Sequence, residues 1–308
     1  MSAGSPRIAV LGAGAIGSLF GGLLTTHARV TLIGRAPHVD AVRANGLLVE
    51  SGSGEALFRP HAETTLPDES WDCVAIAVKT RGLRNACREV AALTTPPGIV
   101  LLLQNGEGIE SVAAETLPSE TLARAIVYEG ASLRRPGVVT RFGIGKTYLG
   151  APLAPGEQSE TLGEIVQLLE RSGLPARIAH DIKREIWRKL IVNAAINPVG
   201  ALAGVVNGVI IRSGALRKLL RSVIDEGQAV AFAETGYRFD LVEKTEEIAN
   251  NTAGNRNSML LDLATGRKTE IDFLNERIVH YAARHEIPVP VNRHLAAAVR
   301  AREDANES

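Results

Sequence analysis

The sequence has no net charge, very few cysteines and no long apolar run, and each shortage argues against a class of protein. Thirty-four basic residues balance thirty-four acidic ones, so nothing electrostatic favours a nucleic-acid or anionic-membrane partner. Cys73 and Cys87 are the only cysteines. Two cysteines are too few for a disulfide framework or a metal cluster, so we predict no metal site and a reducing compartment.

The amino-terminal residues lack the features of a secretory leader. Residues 1–7 contain no basic region followed by an apolar stretch and a cleavage site, and a strand pattern begins at once. No apolar run approaches the ~18 residues that a membrane-spanning helix needs. We therefore expect a cytoplasmic protein without a membrane partner. With 308 residues, 45% of them hydrophobic, the chain is long enough for about two globular domains.

A glycine-rich motif follows the first predicted strand. Residues 7–11 form a short apolar run, typical of a buried parallel strand, and lead into G-A-G-A-I-G and an apolar helical segment. The first glycine permits a tight turn, the second lets the backbone approach a pyrophosphate, and the third lets helix and strand pack closely. The motif predicts that a dinucleotide is bound by Gly12, Ala13, Gly14, Ala15, Ile16 and Gly17.

Three polar residues follow other strand-like runs. Arg35 comes after the second run, where NAD-binding chains carry an acidic residue, and its planar cation suits a 2′-phosphate, which favours NADP(H). Lys79 and Asn105 also follow apolar runs, at the carboxyl-end edge where parallel sheets bind ligands. Each has a plainer alternative: a solvent-facing arginine, a lysine that caps a strand, and an ordinary Asn-Gly turn.

Strand patterns continue to residue 179, and the pattern from His180 onward is helical almost throughout. We therefore predict an α/β fold with a Rossmann-type dinucleotide-binding domain over residues 1–179 and an all-helical domain over residues 180–308. The helical domain could be monomeric or bury one face in a homodimer, and the sequence does not decide between them.

The segment from Glu185 to Pro198 carries an unusual polar pattern. Lys189, Asn193 and Asn197 are four residues apart, so on a helix they form one polar line among Ile, Leu, Val and Ala. Burying such a line without partners is costly, so we interpret it as facing a ligand-binding cleft. The alternative is a solvated stripe on an amphipathic helix. Pro198 has no N–H for the Ala194 carbonyl, and it predicts a kink or stop in the helix.

These residues resemble a known family. The chain resembles the ketopantoate reductases (2-dehydropantoate 2-reductases) over nearly its whole length. The most specific motifs are W-R-K-L-x-x-N-x-x-x-N-P from Trp187 to Pro198, Ser258-Met-Leu and Thr269-Glu-Ile-Asp272; the others are Val78-Lys79, Leu103–Gly108 and Asn207-Gly208. The resemblance implies a Rossmann-type domain followed by a 6-phosphogluconate-dehydrogenase-like helical domain. It also implies NADPH-dependent reduction of 2-dehydropantoate to pantoate, in pantothenate and coenzyme A biosynthesis.

The resemblance further implies a role for each motif residue. Lys189 would be the catalytic lysine, a general acid toward the ketone oxygen, and Glu270 a glutamate close to the reacting centre and the cofactor. The substrate, a small 2-oxo acid, would be held by Asn105, Lys189, Asn193, Asn197, Asn207 and Ser258. NADP(H) would be contacted by Arg35, Lys79, Asn105 and Glu270, besides the glycine motif.

Two departures from the family pattern leave the exact substrate open. Gln104 stands where histidine also occurs in relatives, and Leu202-Ala-Gly-Val-Val206 places small residues at the substrate end. Reduction of another 2-oxo acid is therefore one alternative. The other is a non-catalytic NADP(H)-binding sensor that has kept the fold and lost the chemistry.

Overall fold

A computed structural model describes residues 4–153 and 159–306, without the side chain of Ser159. The chain divides into two compact units. The first draws its described residues from Met1–Gln104 and Ile109–Lys183, and the second draws them from Asn105–Gly108 and Arg184–Ser308. The predicted division after residue 179 lies four residues before Lys183, and it did not include residues 105–108 in the helical part.

The first unit combines twelve described strands with helices that connect them. The strands are β1 (Arg7–Leu11), β2 (Arg29–Ile33), β3 (Leu47–Ser51), β4 (Gly54–Phe58), β5 (His61–Glu63), β6 (Cys73–Ile76), β7 (Ile99–Leu102), β8 (Leu122–Val127), β9 (Gly130–Arg135), β10 (Val138–Gly143), β11 (Thr147–Gly150) and β12 (Ala176–Ile178). The helices are α1 (Ala15–Leu24), α2 (Ala36–Asn45), α3 (Leu83–Ala91), α4 (Ile109–Ala114) and α5 (Ser159–Arg171).

Eight of these strands form one sheet in the order β12-β11-β8-β7-β6-β1-β2-β5. Six neighbouring strands, from β8 to β5, run parallel, whereas β11 pairs antiparallel with β8. The short strands β6 and β7 are buried at every residue, as expected for parallel strands covered on both faces. The predicted α/β fold with a parallel sheet is therefore confirmed.

A second sheet of four strands, in the order β4-β3-β10-β9, was not predicted. The hairpin of β3 and β4 was expected, but its parallel pairing with β10 joins segments some 90 residues apart. Helix α1 packs between this sheet and the larger one. A Cβ on Gly21 would lie 2.2 Å from Leu32 of the larger sheet, and one on Gly22 would lie 2.9 Å from Leu47 of the smaller sheet. Two consecutive glycines thus let the helix approach both sheets.

The second unit is helical, as predicted. Its helices are α6 (Ile182–Ala203, which begins in the first unit), α7 (Asn207–Arg212), α8 (Gly214–Thr235), α9 (Val242–Asn251), α10 (Ser258–Ala264), α11 (Asn275–Arg284) and α12 (Pro290–Asp304), and a short 3-10 turn spans Ile271–Phe273. A separate apolar core is formed largely by α6, α8, α10 and α12. Among the described helices, none has the length and apolar character that crossing a membrane requires.

Helix α6 continues through Pro198, so of the predicted kink or stop the stop is wrong, and the kink stays a prediction. It ends instead at Ala203, where Gly204 adopts a positive φ of 69° and the Val205 N–H bonds the Gly200 oxygen at 3.0 Å. This is the usual glycine-capped end of a helix. The prediction failed because the proline removes one backbone bond but the Ala194 carbonyl accepts another, from the side chain of Asn275 at 3.0 Å.

Candidate active site

The glycine motif lies where β1 meets α1, and two of its glycines are required by close packing. Gly12 has a φ of 112°, and a Cβ there would lie 2.5 Å from the Val78 nitrogen. A Cβ on Gly17 would lie 2.1 Å from the Gly12 oxygen. Both positions therefore exclude any side chain, which fixes the path of the turn before α1.

Gly14 differs from the other two glycines because the space around it is open. It is exposed at the amino-terminal cap of α1, and a Cβ there would meet no atom within 4 Å. Ala13 is buried, whereas Ala15 and Ile16 are half-buried in the first turn. The open space in front of the helix amino terminus fits the pyrophosphate of a dinucleotide, which backbone N–H groups there can bind.

Arg35 and Lys79 lie at the same edge of the larger sheet as the glycine motif. Strand β1 stands between β2 and β6, and the chain leaves the carboxyl ends of these three strands toward Gly12, Arg35 and Lys79. Arg35 is exposed at the amino-terminal cap of α2, and Lys79 is exposed at the start of a short 3-10 turn. The structure thus brings the predicted cofactor residues of the first unit to neighbouring strand ends.

Gln104 is buried at the end of β7 and serves the sheet itself. Its Nε2 donates to the backbone oxygens of Ile76 and Val78, at 3.0 Å and 3.1 Å. This side chain therefore ties the carboxyl end of β7 to that of β6. The departure from the family pattern at this position has a structural explanation within the first unit.

In the second unit, Lys189, Asn193 and Asn197 lie on the single helix α6 at four-residue spacing, on one face. Lys189 and Asn193 are half-buried, and Asn197 is buried. The residues around them, such as Leu190, Ile191 and Ala194, belong to the apolar core. The predicted polar line is therefore one helix face bordered by core residues.

Asn105 and Glu270 are distant in sequence and adjacent in the second unit. Asn105 Nδ2 donates to Glu270 Oε2 at 3.3 Å, and the Glu270 side chain is buried. Gly106 makes this approach possible, because its φ is 96° and a Cβ there would lie 2.4 Å from the Phe273 oxygen. The Glu107 N–H bonds the same oxygen at 3.1 Å.

A cluster of Glu107, Arg277 and Tyr281 fixes the loop that carries Asn105. Arg277 Nε donates to Glu107 Oε2 at 2.6 Å, and the Tyr281 hydroxyl donates to Glu107 Oε1 at 2.9 Å. Burial and the Glu107 carboxylate raise the pKa of Tyr281 to about 12. The tyrosine ring also packs on Trp187 of α6, with ring centroids 5.3 Å apart. Sequence reasoning missed this cluster, because 170 residues separate Glu107 from Arg277.

Asn207 and Ser258 begin the helices α7 and α10. Asn207 is buried and its Nδ2 donates to Thr252 Oγ1 at 2.9 Å, while its Oδ1 is buried and accepts from no described residue. Ser258 is exposed. The structure therefore presents an unsatisfied acceptor on Asn207 and an accessible hydroxyl on Ser258.

Asn257 is a polar residue that sequence reasoning missed. Its Oδ1 caps α10 by accepting from the Leu260 N–H at 3.0 Å. Its Nδ2 is buried, no described residue accepts from it, and it lies beside Gly200 of α6, where a Cβ would be 2.6 Å away. The asparagine directly before an apolar helical run is a cap signal that would have drawn attention to it.

Sequence models of a known family match most of this chain. The sequence model of the ketopantoate reductase PanE/ApbA family matches residues 8–153, and that of the family's C-terminal part matches residues 181–303. The chain belongs to the ketopantoate reductase family. A 2-dehydropantoate 2-reductase of Pyrococcus horikoshii is 37% identical over 96% of this chain and 97% of its own length. One of Archaeoglobus fulgidus is 35% identical, with coverage of 96% and 97%.

Solved structures of known proteins have the same fold. A PanE/ApbA-family ketopantoate reductase from Ralstonia eutropha has a TM-score of 0.89 and 30% identity, covering 98% of this chain and all of its own. D-mandelate dehydrogenase with NADH and anilino(oxo)acetate also has a TM-score of 0.89, with 26% identity and coverage of 98% and 99%. The family is one of pyridine-nucleotide-dependent oxidoreductases.

Proposed function

We propose that this protein reduces 2-dehydropantoate to pantoate with NADPH, as the names of its relatives in Pyrococcus and Archaeoglobus suggest. The observation that carries the proposal is the placement of Lys189, Asn193 and Asn197 on one unbroken helix face. A ketone that accepts a hydride becomes an alkoxide, and a small 2-oxo acid also presents a carboxylate and a hydroxyl. One cation and several neutral amides match these needs.

In this proposal Lys189 protonates the ketone oxygen. Its ammonium stabilises the negative charge that develops on that oxygen and then transfers a proton to it. Half-burial on α6 keeps the ammonium close to the apolar core, where its field is less screened than in water. Bound NADPH supplies the hydride.

Neutral polar side chains orient the acid. Asn193 and Asn197 extend from the same helix face as Lys189, and their amides can bond a carboxylate or a hydroxyl without adding charge. The buried Oδ1 of Asn207 lacks a described donor, so it can accept from a substrate hydroxyl. The exposed hydroxyl of Ser258 completes this set.

Glu270 and Asn105 act as a pair. The Asn105 amide donates to one carboxylate oxygen of Glu270 and so orients that side chain. We assign the Glu270 carboxylate to the reacting centre. We also assign both residues contacts with the cofactor, and Asn105 a contact with the substrate.

NADP(H) is assigned to the edge of the first unit that contains the glycine motif. Gly14 and the start of α1 would bind the pyrophosphate, and Lys79 would contact the cofactor nearby. The exposed guanidinium of Arg35 suits the 2′-phosphate.

Arg35→Gln should therefore lower NADPH affinity about tenfold or more and leave NADH affinity nearly unchanged, as measured by titration of each cofactor. An equal loss for both cofactors would contradict the assignment.

A second candidate function is the reduction of another 2-oxo acid. The specific observation in its favour is the structural match to D-mandelate dehydrogenase, whose complex contains NADH and anilino(oxo)acetate. Helix α6 also ends in small residues, Ala201 and Ala203, with Gly204 at the turn that follows. A bulkier 2-oxo acid could use such space.

Steady-state kinetics with both cofactors and a panel of 2-oxo acids tests the proposal. The panel should include 2-dehydropantoate, benzoylformate and pyruvate, with oxidation of NADPH or NADH followed at 340 nm. We expect kcat/KM for 2-dehydropantoate with NADPH to exceed the others by about a hundredfold or more. A higher value for benzoylformate would favour the second candidate. No turnover with any acid, alongside tight NADPH binding, would favour a sensor.

A further inference from the structure

A remote side chain replaces the backbone hydrogen bond that a proline removes from α6. Pro198 lies inside the helix and has no N–H, so the Ala194 carbonyl lacks its ordinary donor. Asn275, at the start of α11, donates to this carbonyl oxygen from Nδ2 at 3.0 Å. The replacement comes from 81 residues away, which makes it a tertiary contact of α6.

The Asn275 amide is held in one orientation by a buried network. The side chain is 0% exposed, and its Nδ2 also donates to Asn292 Oδ1 at 3.0 Å. The Asn292 amide donates in turn to Glu226 Oε2 at 2.7 Å and to the Val223 oxygen at 3.4 Å. The Asn292 Nδ2 faces two acceptors, so its Oδ1 faces Asn275. Asn275 is therefore the donor between these two side chains.

The turn of α6 that lacks the bond from Pro198 also carries the proposed substrate residues. Asn193 directly precedes Ala194, and Asn197 directly precedes Pro198. A helix turn without its closing bond can bend or widen, and this changes the separation of side chains four residues apart. The Asn275 bond satisfies the Ala194 carbonyl and ties this turn of α6 to the start of α11, so the turn is held although Pro198 cannot donate within it.

We propose that Asn275 is a positioning residue, which fixes the geometry of Asn193 and Asn197 through the Ala194 carbonyl. The inference rests on the proposed function, because it takes these two asparagines to hold the 2-oxo acid. Asn275 contacts neither substrate nor cofactor in this scheme. Small displacements of orienting groups lower rates strongly, so loss of the bond should alter substrate kinetics as well as stability.

The test is a double-mutant cycle of Pro198→Ala and Asn275→Ala. Alanine at position 198 restores a backbone N–H, which gives the Ala194 carbonyl a donor without Asn275. We expect Asn275→Ala alone to raise KM for the 2-oxo acid about tenfold and to lower kcat. The Kd of NADPH, which Asn275 does not contact in this scheme, should stay within about twofold. In the double variant, KM should return to within about threefold of that of Pro198→Ala.

Val299→Ala is the matched control, because Val299 is a fully buried core residue on α12 of the same unit. It should lower the urea midpoint without raising KM. The inference is overturned if Asn275→Ala changes KM no more than Val299→Ala does. It is equally overturned if the double variant keeps the raised KM of Asn275→Ala.

Two further comparisons keep the test decisive. If Asn275→Ala does not fold, Pro198→Ala and the double variant are compared directly: similar KM values support the inference, and a tenfold rise in the double variant overturns it. Absence of turnover by the wild type with every 2-oxo acid overturns the proposed function, and with it the substrate role of the asparagines. Turnover by the wild type with KM unaltered by Asn275→Ala overturns only the positioning role.

Discussion

The glycine motif of the first unit and the polar face of α6 in the second unit are built from different kinds of atoms. The motif depends on backbone: Gly12 approaches the main chain of Val78, and Gly17 approaches the oxygen of Gly12. The α6 face depends on the side chains of Lys189, Asn193 and Asn197, and the Ala194 carbonyl within it accepts from Asn275, far along the chain. Adding a side chain should therefore impair the site built from backbone, whereas truncating a side chain should impair the site built from side chains.

The largest expected effect is at the side-chain site. Lys189→Ala should lower kcat by about 10²- to 10⁴-fold, the usual contribution of a general acid, while NADPH binding persists. Single-turnover kinetics and a NADPH titration measure the two separately. Lys183→Ala is a suitable control, because Lys183 is an exposed lysine near the start of the same helix. Near-normal turnover of Lys189→Ala would remove the lysine from the mechanism.

Alanine substitutions should affect the glycines of the motif differently. Gly12→Ala should destabilise the fold by on the order of 2 kcal/mol or more, because of its positive φ and the clash with Val78. Gly14→Ala should leave the unfolding free energy nearly unchanged, since its Cβ meets no protein atom. Its NADPH affinity should nevertheless fall on the order of tenfold. Urea denaturation and cofactor titration provide the two readouts, and unchanged affinity in Gly14→Ala would contradict the pyrophosphate assignment.

A moderate effect is expected where a loop is held by charges. Glu107→Gln should weaken the bonds from Arg277 and Tyr281 and loosen Asn105, which would raise KM for the 2-oxo acid roughly threefold to tenfold. The pKa of Tyr281, about 12 in the native protein, should fall toward its ordinary value. Ultraviolet titration, with Tyr281→Phe to assign the signal, measures this.

Glu276→Gln serves as the control for that variant, since Glu276 lies on α11 but pairs with Arg300. It should change neither KM nor the titration of Tyr281. If Glu107→Gln behaves as Glu276→Gln does, the cluster has no part in placing Asn105.

The smallest effect concerns a buried histidine of the first unit. His38 Nδ1 accepts from the Gly137 N–H at 3.1 Å, and its Nε2 lies 3.1 Å from Ser18 Oγ on α1. Burial lowers the pKa of His38 below its ordinary value. The unfolded chain therefore binds the proton first as pH falls, and stability that is complete above the ordinary pKa is lost below it.

Urea denaturation at several pH values checks this expectation. The unfolding free energy should fall as pH decreases through and below the ordinary histidine value of about 6.5. His38→Asn, which keeps an acceptor near the Nδ1 position but does not titrate, should remove this part of the pH dependence. An identical pH profile for both proteins would show that His38 contributes nothing to it.

Much of the fold could be predicted because its signals are local. The runs at residues 7–11 and 29–33 match β1 and β2 at both ends, since short apolar runs bounded by glycine or charged residues are typical of buried parallel strands. The second sheet could not be predicted, because pairing of β3 with β10 depends on contacts between distant segments.

The candidate site divides in the same way. The spacing of Lys189, Asn193 and Asn197 predicted a common helix face, because periodicity is a property of neighbouring residues. The rule for Pro198 misjudged the end of the helix, because the donor from Asn275 has no local signal in the sequence. Asn105 beside Glu270 is another long-range contact; the family resemblance assigned both residues to the cofactor but did not predict that they touch each other.

The assignment of Asn105–Gly108 to the second unit has a consequence for exchanging parts between relatives. A recombinant gene joined near residue 184 takes this loop from one parent and Glu270, Arg277 and Tyr281 from the other. In every such hybrid, the residues of one hydrogen-bonded cluster therefore come from two different parent proteins. Transferring codons 105–108 together with codons 184–308 takes the whole cluster from one parent.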